Sequence, residues 1–121
     1  MKKIIVVTGG AGFVGANLIQ LLIKRTNYKI LSIDNYSSGS KINHIKNNKI
    51  EYINGNTSEI EKLLKKKLNN ITAIFHFGEF SRIYQSFLKF EECFLSNTIG
   101  TNAVFKFCLK NKIKLIYSAT S

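Results

Sequence analysis

Residues 3–15 read KIIVVTGGAGFVG, and this stretch predicts how the chain begins to fold. The apolar, mostly β-branched run from Ile4 to Val7 is typical of a buried strand. Glycines then crowd the interval between Gly9 and Gly15, where a tight turn is predicted. After the first of them, apolar residues recur at the spacing of a helix, at Val14, Leu18, Leu21 and Leu22. The stretch therefore predicts a strand, a glycine loop and a helix.

Strand and helix patterns alternate over the rest of the chain. Strands are predicted over Lys3–Thr8, Lys29–Ile33, Lys49–Ile53, Ile71–Phe77 and Lys114–Tyr117. Helices are predicted over Phe13–Arg25, over Ser58–Leu68 with Ser58 as its cap, and over Phe90–Lys110. Apolar strands separated by helices indicate a parallel sheet covered on both faces, doubly wound through right-handed crossovers. We therefore predict one α/β domain over residues 1–121, a Rossmann fold with about five strands where the complete fold has six.

The named residues of each later helix fall near one face, and on the second helix this face is predicted to point inward. On the second helix this face contains Ile60, Leu63, Leu64 and Leu68. On the third it contains Phe90, Phe94, Thr101, Phe105, Cys108 and Leu109.

The composition excludes several classes of protein. With 121 residues, 45% of them hydrophobic, the chain can build one globular core. No apolar run approaches the roughly 20 residues of a membrane helix, and the N-terminal run is too short for a signal peptide. Cys93 and Cys108 are too far apart on one predicted helix for a disulfide. His44 and His76 have no second ligand at metal spacing. These patterns predict a soluble cytoplasmic protein without a metal site.

The charge is strongly basic. Eighteen Lys and Arg residues against seven Asp and Glu residues give +11 at pH 7, which raises nucleic-acid binding as one function. However, only Arg25 and Arg82 are arginines, and the lysines are scattered apart from Lys65–Lys67. Ile and Asn are also common and Pro is absent. A compositional background therefore explains the charge better than a nucleic-acid surface does.

The glycine loop suits a phosphate site, because it lies between a predicted strand and a predicted helix. Glycines at 10, 12 and 15 satisfy G-x-G-x-x-G, and those at 9, 12 and 15 satisfy G-x-x-G-x-x-G. Gly9 is predicted to take the tight turn, Gly12 to admit a pyrophosphate, and Gly15 to let helix and strand approach closely. Backbone N–H groups near Gly12 to Val14 would then hold the phosphates.

Asp34, the chain's single Asp, follows the second predicted strand 19 residues after Gly15. An acid there accepts hydrogen bonds from the adenine-ribose hydroxyls and repels a 2′-phosphate. The sequence thus predicts NAD rather than NADP as the cofactor.

The glycine loop together with Asp34-Asn35-Tyr36-Ser37-Ser38-Gly39 resembles the extended short-chain dehydrogenase/reductases, the NAD-dependent sugar-nucleotide epimerases and dehydratases. The resemblance continues in Asn97-Thr98-Ile99-Gly100-Thr101, which is similar to that family's Asn-x-x-Gly-Thr helix. Two positions depart from the family. Asn56 replaces an Asp that binds adenine, although its amide oxygen can still accept from the adenine amino group, and Glu79 is unusual beside the nicotinamide ribose. The cofactor-binding residues implied by the resemblance are Gly9, Gly12, Phe13, Val14, Gly15, Asp34, Asn35, Ser37, Ser38, Gly39, Asn56, Thr57, Phe77, Gly78, Glu79, Ser81 and Asn97.

The last segment is similar to the strand that delivers the family's catalytic Ser or Thr. The match places Thr120 at that position, with Ser118 and Ser121 as alternatives, and implies a hydrogen bond to the sugar hydroxyl that is oxidised. The family's base is the Tyr of a Tyr-x-x-x-Lys pair, whereas no Tyr of these 121 residues has Lys four positions later.

The resemblance therefore implies the NAD-binding portion of a sugar-nucleotide epimerase or dehydratase of the UDP-glucose 4-epimerase type. This portion lacks the family's C-terminal part and is expected to be inactive alone. Its implied partners are a sugar nucleotide in the full-length enzyme and a second copy in a homodimer. The alternatives are a stand-alone NAD-binding module without catalysis and, from charge only, a nucleic-acid-binding protein.

Overall fold

The structure is a computed structural model that describes residues 3–10, 12–36, 41–77 and 99–117. The strands within these residues are β1 (Ile4–Thr8), β2 (Lys29–Asp34), β3 (Ile50–Asn54), β4 (Ile71–His76) and β5 (Lys114–Tyr117). The α-helices are α1 (Phe13–Arg25), α2 (Ile60–Leu64) and α3 (Thr101–Asn111), and 3₁₀ turns cover Lys41–Asn43, Thr57–Glu59 and Lys65–Asn70. None of these helices is long and apolar enough to cross a membrane.

The strands form one parallel sheet in the order β3-β2-β1-β4-β5. β1 lies at its centre, paired with β2 on one side and with β4 on the other. The chain winds first to one side of β1 and then to the other, which is the doubly wound arrangement. This confirms the predicted α/β Rossmann fold. Each strand begins and ends within one residue of its predicted bounds.

Alternate residues of β1 enter two hydrophobic clusters. Ile4 and Val6 pack in a cluster that includes α2 and α3 residues, such as Leu64 and Phe107. Ile5 and Val7 pack instead with the fully buried Ile19 of α1 and its neighbours. Because successive side chains of a strand point to opposite faces, the sheet is covered on both sides, as continuous apolar strands predict.

The segment after β3 differs from its prediction as one helix capped by Ser58. A 3₁₀ turn precedes the single-turn helix α2, and another 3₁₀ turn follows it. Asn56 and Glu59 hold the N-cap positions, while Ser58 lies inside the first 3₁₀ turn, so the predicted cap is wrong. Tighter winding is common where a helix begins and ends. The predicted inward face is confirmed, because Ile60 and Leu64 are buried and Leu63 and Leu68 pack against them.

The residues near one predicted face of the third helix are not all buried. In α3, Thr101 and Cys108 are buried, but Phe105 and Leu109 are 43% and 83% exposed. Val104 and Phe107 take their places in the core. The reason is helical geometry, since Phe105 lies about 100° around the axis from Val104. Phe90 and Phe94 lie outside the described residues.

On α1 the buried residues are Gly15 and Ile19. Val14 and Leu21 were part of the apolar spacing that predicts this helix, yet both are exposed. The spacing correctly predicts a helix from Phe13 to Arg25, but it does not identify the buried face.

Candidate functional site

The carboxyl ends of β1, β2, β3 and β4 meet at one edge of the sheet, because the strands are parallel. The crevice beside β1 lies where the strand order reverses, between β2 and β4. Such a switch point is where open α/β sheets bind ligands. The described members of the predicted cofactor-binding set all lie at this edge: Gly9, Gly12, Phe13, Val14, Gly15, Asp34, Asn35, Asn56, Thr57 and Phe77.

The glycine loop makes a tight turn directly after β1. Gly9 has a positive φ of 74°, a conformation that favours glycine. Its N–H donates to the Ile33 carbonyl at 2.7 Å, and its own carbonyl accepts the Gly12 N–H at 3.0 Å. Gly9 therefore takes the tight turn that is predicted for it.

The glycines of the loop are required for different reasons. A Cβ on Gly15 would overlap the Gly9 carbonyl, and one on Gly10 would overlap the Ser32 hydroxyl. Among the described residues, a Cβ on Gly12 would meet only the Gly9 carbonyl oxygen, at an ordinary contact distance of 3.4 Å. Gly10 and Gly15 are thus needed for close packing around the turn, whereas no described residue fills the space in front of Gly12.

The first turn of α1 presents backbone donors to this open space. Gly12 is the N-cap, and none of the described side chains caps the helix. The Gly12 N–H already donates to the Gly9 carbonyl. The N–H groups of Phe13 and Val14 have no acceptor within their own helix, and the helix dipole adds partial positive charge there. The arrangement suits an anion.

Asp34 is the last residue of β2 and is buried, at 8% exposure. Its Oδ1 accepts the Tyr36 N–H at 2.7 Å, and its backbone carbonyl accepts the Gly55 N–H at 3.1 Å. Tyr36 adopts a positive φ of 61° in this turn, which is uncommon for a residue with a side chain. The carboxylate is therefore held in a fixed position at the strand end.

Asn35 and Asn56 connect the loops that follow β2 and β3. The Nδ2 of Asn35 donates to the Oδ1 of Asn56 at 2.7 Å. Asp34 pairs with Asn54 in the sheet, which brings the two loops side by side. The Asn56 amide oxygen, the predicted acceptor for the adenine amino group, thus already accepts one hydrogen bond from Asn35.

Thr57 lies deeper in the same edge of the molecule. It is buried, and its hydroxyl occupies the space that a Cβ on Gly100 would need. Gly100 therefore allows the start of α3 to pack directly against the 3₁₀ turn after β3. The Thr57 side chain thus packs against Gly100, a contact that the sequence motif does not predict.

His76 has a role that the sequence reasoning missed. It is fully buried at the end of β4, with its Nδ1 hydrogen-bonded to Thr8 Oγ1 at 2.7 Å and its Nε2 to Thr101 Oγ1 at 3.1 Å. Burial lowers the pKa of His76 to about 4, so the ring is neutral at pH 7. Thr8 Oγ1 also accepts the Phe77 N–H at 2.8 Å, which fixes the residue that follows β4. The sequence signal for this role of His76 is a His at the end of an apolar strand.

Three aromatic side chains, from the segment after β2 and from β3, contact one another. The Tyr36 hydroxyl is hydrogen-bonded to His44 Nε2 at 2.6 Å, and His44 stacks on Tyr52 with ring centroids 3.7 Å apart. The Tyr52 hydroxyl accepts the Ile45 N–H at 2.9 Å. Burial and the nearby negative charge of Asp34 raise the pKa of Tyr36, while burial and Lys41 lower the pKa of His44. The cluster connects Tyr36, just after β2, with His44 and with Tyr52 of β3.

The remaining predicted site residues lie outside the described residues. They are Ser37, Ser38, Gly39, Gly78, Glu79, Ser81, Asn97 and Thr120, together with the alternatives Ser118 and Ser121.

Comparison with known proteins agrees with this geometry. The model of the NAD dependent epimerase/dehydratase family matches residues 5–121. Among curated proteins, the chain is 29% identical over 127 residues to UDP-N-acetyl-alpha-D-glucosaminuronate decarboxylase from Bacillus cytotoxicus, covering 100% of this chain and 37% of that protein.

Two solved structures share the fold. UDP-N-acetylglucosamine 4-epimerase from Methanobrevibacter ruminantium M1, in complex with UDP-N-acetylmuramic acid, has a TM-score of 0.82 and 30% identity over 100% of this chain and 39% of its own. The Bordetella bronchiseptica enzyme WbmG, in complex with NAD, has a TM-score of 0.79 and 25% identity over 97% of this chain and 37% of its own. The chain thus spans between 37% and 39% of the length of these relatives.

Proposed function

The chain belongs to the NAD dependent epimerase/dehydratase family, and on this premise we propose that it is the NAD-binding portion of an enzyme that acts on a UDP-sugar. The observation that carries the proposal is the open space in front of Gly12, beside a helix N-terminus without a side-chain cap among the described residues. A pyrophosphate fits there because no Cβ fills the approach to the Phe13 and Val14 N–H groups.

The adenosine half of NAD is proposed to lie over the carboxyl ends of β2 and β3. Asp34 is fixed at the end of β2, where a carboxylate accepts hydrogen bonds from the ribose hydroxyls and repels a 2′-phosphate. Asn35 and Asn56 lie at the adjoining loops, within reach of the base. Thr57 is proposed to contact the cofactor through its backbone, because its side chain is buried against Gly100.

The proposal extends to residues that rest on the family resemblance. We propose that Ser37, Ser38 and Gly39 contact the adenosine ribose, and that Phe77, Gly78, Glu79, Ser81 and Asn97 contact the nicotinamide half. Thr120 is proposed to donate or accept a hydrogen bond at the sugar hydroxyl. When bound, NAD supplies the acceptor for a hydride from a sugar carbon.

The substrate class follows from the relatives, of which one is a UDP-N-acetylglucosamine 4-epimerase and another a UDP-sugar decarboxylase. The 121 residues contain no Tyr-x-x-x-Lys pair to deprotonate the sugar hydroxyl. We therefore propose that these residues bind NAD but do not turn over a UDP-sugar by themselves. From the family resemblance we propose that the full-length enzyme forms a homodimer, and from the scattered lysines that nucleic acid is not a partner. The second candidate is a stand-alone NAD-binding module, which would use the same NAD site.

Titration calorimetry with NAD tests the proposal on the unaltered chain and on Gly12→Val. The variant should lose NAD binding, because its side chain fills the space proposed for the pyrophosphate. The control is Leu109→Ala, a change at an exposed position of α3 that should leave the affinity unchanged. Equal affinity of Gly12→Val and the unaltered chain would refute the proposed site. Continuing the gene sequence beyond codon 121 separates the two candidates, since the enzyme requires a Tyr-x-x-x-Lys pair there.

A further inference from the structure

We propose that Asn35 is a positioning residue that orients the Asn56 carboxamide, so that the site selects a 6-aminopurine over a 6-oxopurine. The inference rests on the proposed function, in which the adenosine end of NAD lies over the carboxyl ends of β2 and β3. It goes beyond that function because it assigns base selectivity to a pair of side chains, only one of which faces the base.

The contact between the two amides is held by the backbone on both sides. Asn35 and Asn56 follow strands that pair in register at Asp34 and Asn54. The Gly55 N–H donates to the Asp34 carbonyl at 3.1 Å, which continues the ladder one step past the strands. The 2.7 Å bond from Asn35 Nδ2 to Asn56 Oδ1 therefore joins two residues with fixed backbone positions.

This bond determines which way round the Asn56 carboxamide lies. A carboxamide oxygen accepts two hydrogen bonds, and its nitrogen donates two. Because Asn35 donates to the oxygen, the oxygen faces the β2 side with one lone pair left, and the nitrogen keeps both hydrogens. In this orientation Asn56 can accept from the N6 amino group of adenine and donate to N1, the neighbouring acceptor on the Watson–Crick edge.

A 6-oxopurine reverses both requirements. Hypoxanthine presents an acceptor oxygen at C6 and a donor at N1, so it needs the Asn56 carboxamide turned around. The turned carboxamide would place the Asn56 nitrogen against the Asn35 nitrogen, two donors facing each other, unless Asn35 also turned. The reversed arrangement therefore requires both carboxamides to turn together.

The test compares the Kd of NAD with that of nicotinamide hypoxanthine dinucleotide, which has the same charge. The unaltered chain should prefer NAD by about tenfold, the lower end of what a bidentate contact gives. Asn35→Asp offers only acceptors, so it should draw the Asn56 nitrogen toward itself and bring the preference to about one or below. Asn35→Ala removes the restraint and should leave a preference of less than about threefold. Because the readout is a ratio, a general loss of affinity cancels.

Two further variants serve as controls. Asn56→Asp can only accept from the base and should keep the preference for NAD. Asn69→Asp adds the same charge at an exposed position just before β4, at the opposite edge of the sheet, and should leave the ratio unchanged. NAD binding with the same ratio in the unaltered chain, Asn35→Asp and Asn35→Ala would overturn this inference alone. Binding of neither dinucleotide to the unaltered chain would overturn the proposed function itself.

Discussion

The carbonyl oxygen of Gly9 occupies the space that a side chain on Gly15 would need. Gly15→Ala should therefore lower the free energy of unfolding by about 3 kcal/mol or more, because neither backbone can move without opening the turn. Gly12→Ala adds the same methyl group in open space and should cost about 1 kcal/mol or less. Urea unfolding followed by circular dichroism compares the two variants. Equal losses of stability would contradict the separation of packing and ligand roles in this loop.

Asp34 should decide between NAD and NADP. Asp34→Asn keeps an oxygen for the Tyr36 N–H but removes the charge proposed to bind the ribose hydroxyls. We expect NAD to bind about 10- to 100-fold more weakly, since hydrogen bonds to charged groups contribute about 1.5–3 kcal/mol. NADP should lose less or gain, because the repulsion of its 2′-phosphate is removed.

Calorimetric Kd values for both dinucleotides test this, with Glu61→Gln as a matched loss of charge at an exposed residue paired with Lys110. A tighter Kd for NADP than for NAD in the unaltered chain would show that the interpretation of Asp34 is wrong.

Because of His76, the free energy of unfolding should decrease as the pH is lowered. The unfolded imidazole titrates near its usual pKa of 6.5, whereas burial lowers the pKa of the folded one to about 4. Between these values the unfolded chain binds more protons, so stability is complete above about 6.5 and decreases as the pH falls toward 4. The total loss is about 3 kcal/mol.

Urea unfolding at pH 7 and at about pH 5 measures this effect while most carboxylates remain ionised. His76→Gln can still bond both threonines, but it does not titrate. Its stability should therefore change much less between the two pH values. Parallel losses in the variant and the unaltered chain would assign the effect to other groups.

Replacing Ser32 with alanine should stabilise the protein. The Ser32 hydroxyl is buried beneath Gly10 and has no hydrogen-bond partner among the described residues. Burying such a group costs about 1–3 kcal/mol. Ser32→Ala removes the hydroxyl while keeping the Cβ, so the free energy of unfolding should rise by about 1 kcal/mol, measured by thermal or urea unfolding. A loss of stability would mean that the hydroxyl has a partner, such as a bound water.

The 121 residues should not interconvert UDP-sugars. Without a positioned base, the transfer of the hydroxyl proton alone is slowed by about 10²–10⁴-fold. Incubation of purified protein with NAD and UDP-N-acetylglucosamine, followed by chromatography of the nucleotide sugars, tests this. Turnover near the roughly 1 s⁻¹ of a slow but competent enzyme would reveal a base elsewhere in the chain.

The sequence predicts the sheet well, because β1 and β4 are short, mostly apolar runs and the other strands are short segments rich in apolar residues. The glycine loop was also predictable, since Gly9, Gly12 and Gly15 act within a few residues of one another. Helix faces were harder, because Val104 and Phe105 are both apolar and adjacent. Only the packing of α3 on the sheet decides which of the two is buried.

Contacts between distant segments were not predictable from local patterns. His76 joins Thr8 and Thr101, which lie 68 and 25 positions away along the chain. The Asn35 and Asn56 amides are 21 positions apart and meet only because β2 and β3 pair in register. A pattern in one short sequence segment cannot show that two distant side chains make contact, although it can identify each residue separately.

The central place of β1 also bears on how the protein is made. β1 leaves the ribosome before its partner strands and can pair with β2 once residue 34 has emerged, but its other neighbour, β4, ends at residue 76. During this interval the β4-facing edge of β1 has no native partner, and Ile4 and Val6 lack most of their final neighbours. We expect the half of the domain built on α1 to form early, and the nascent chain to be most prone to aggregation until β4 has been synthesised.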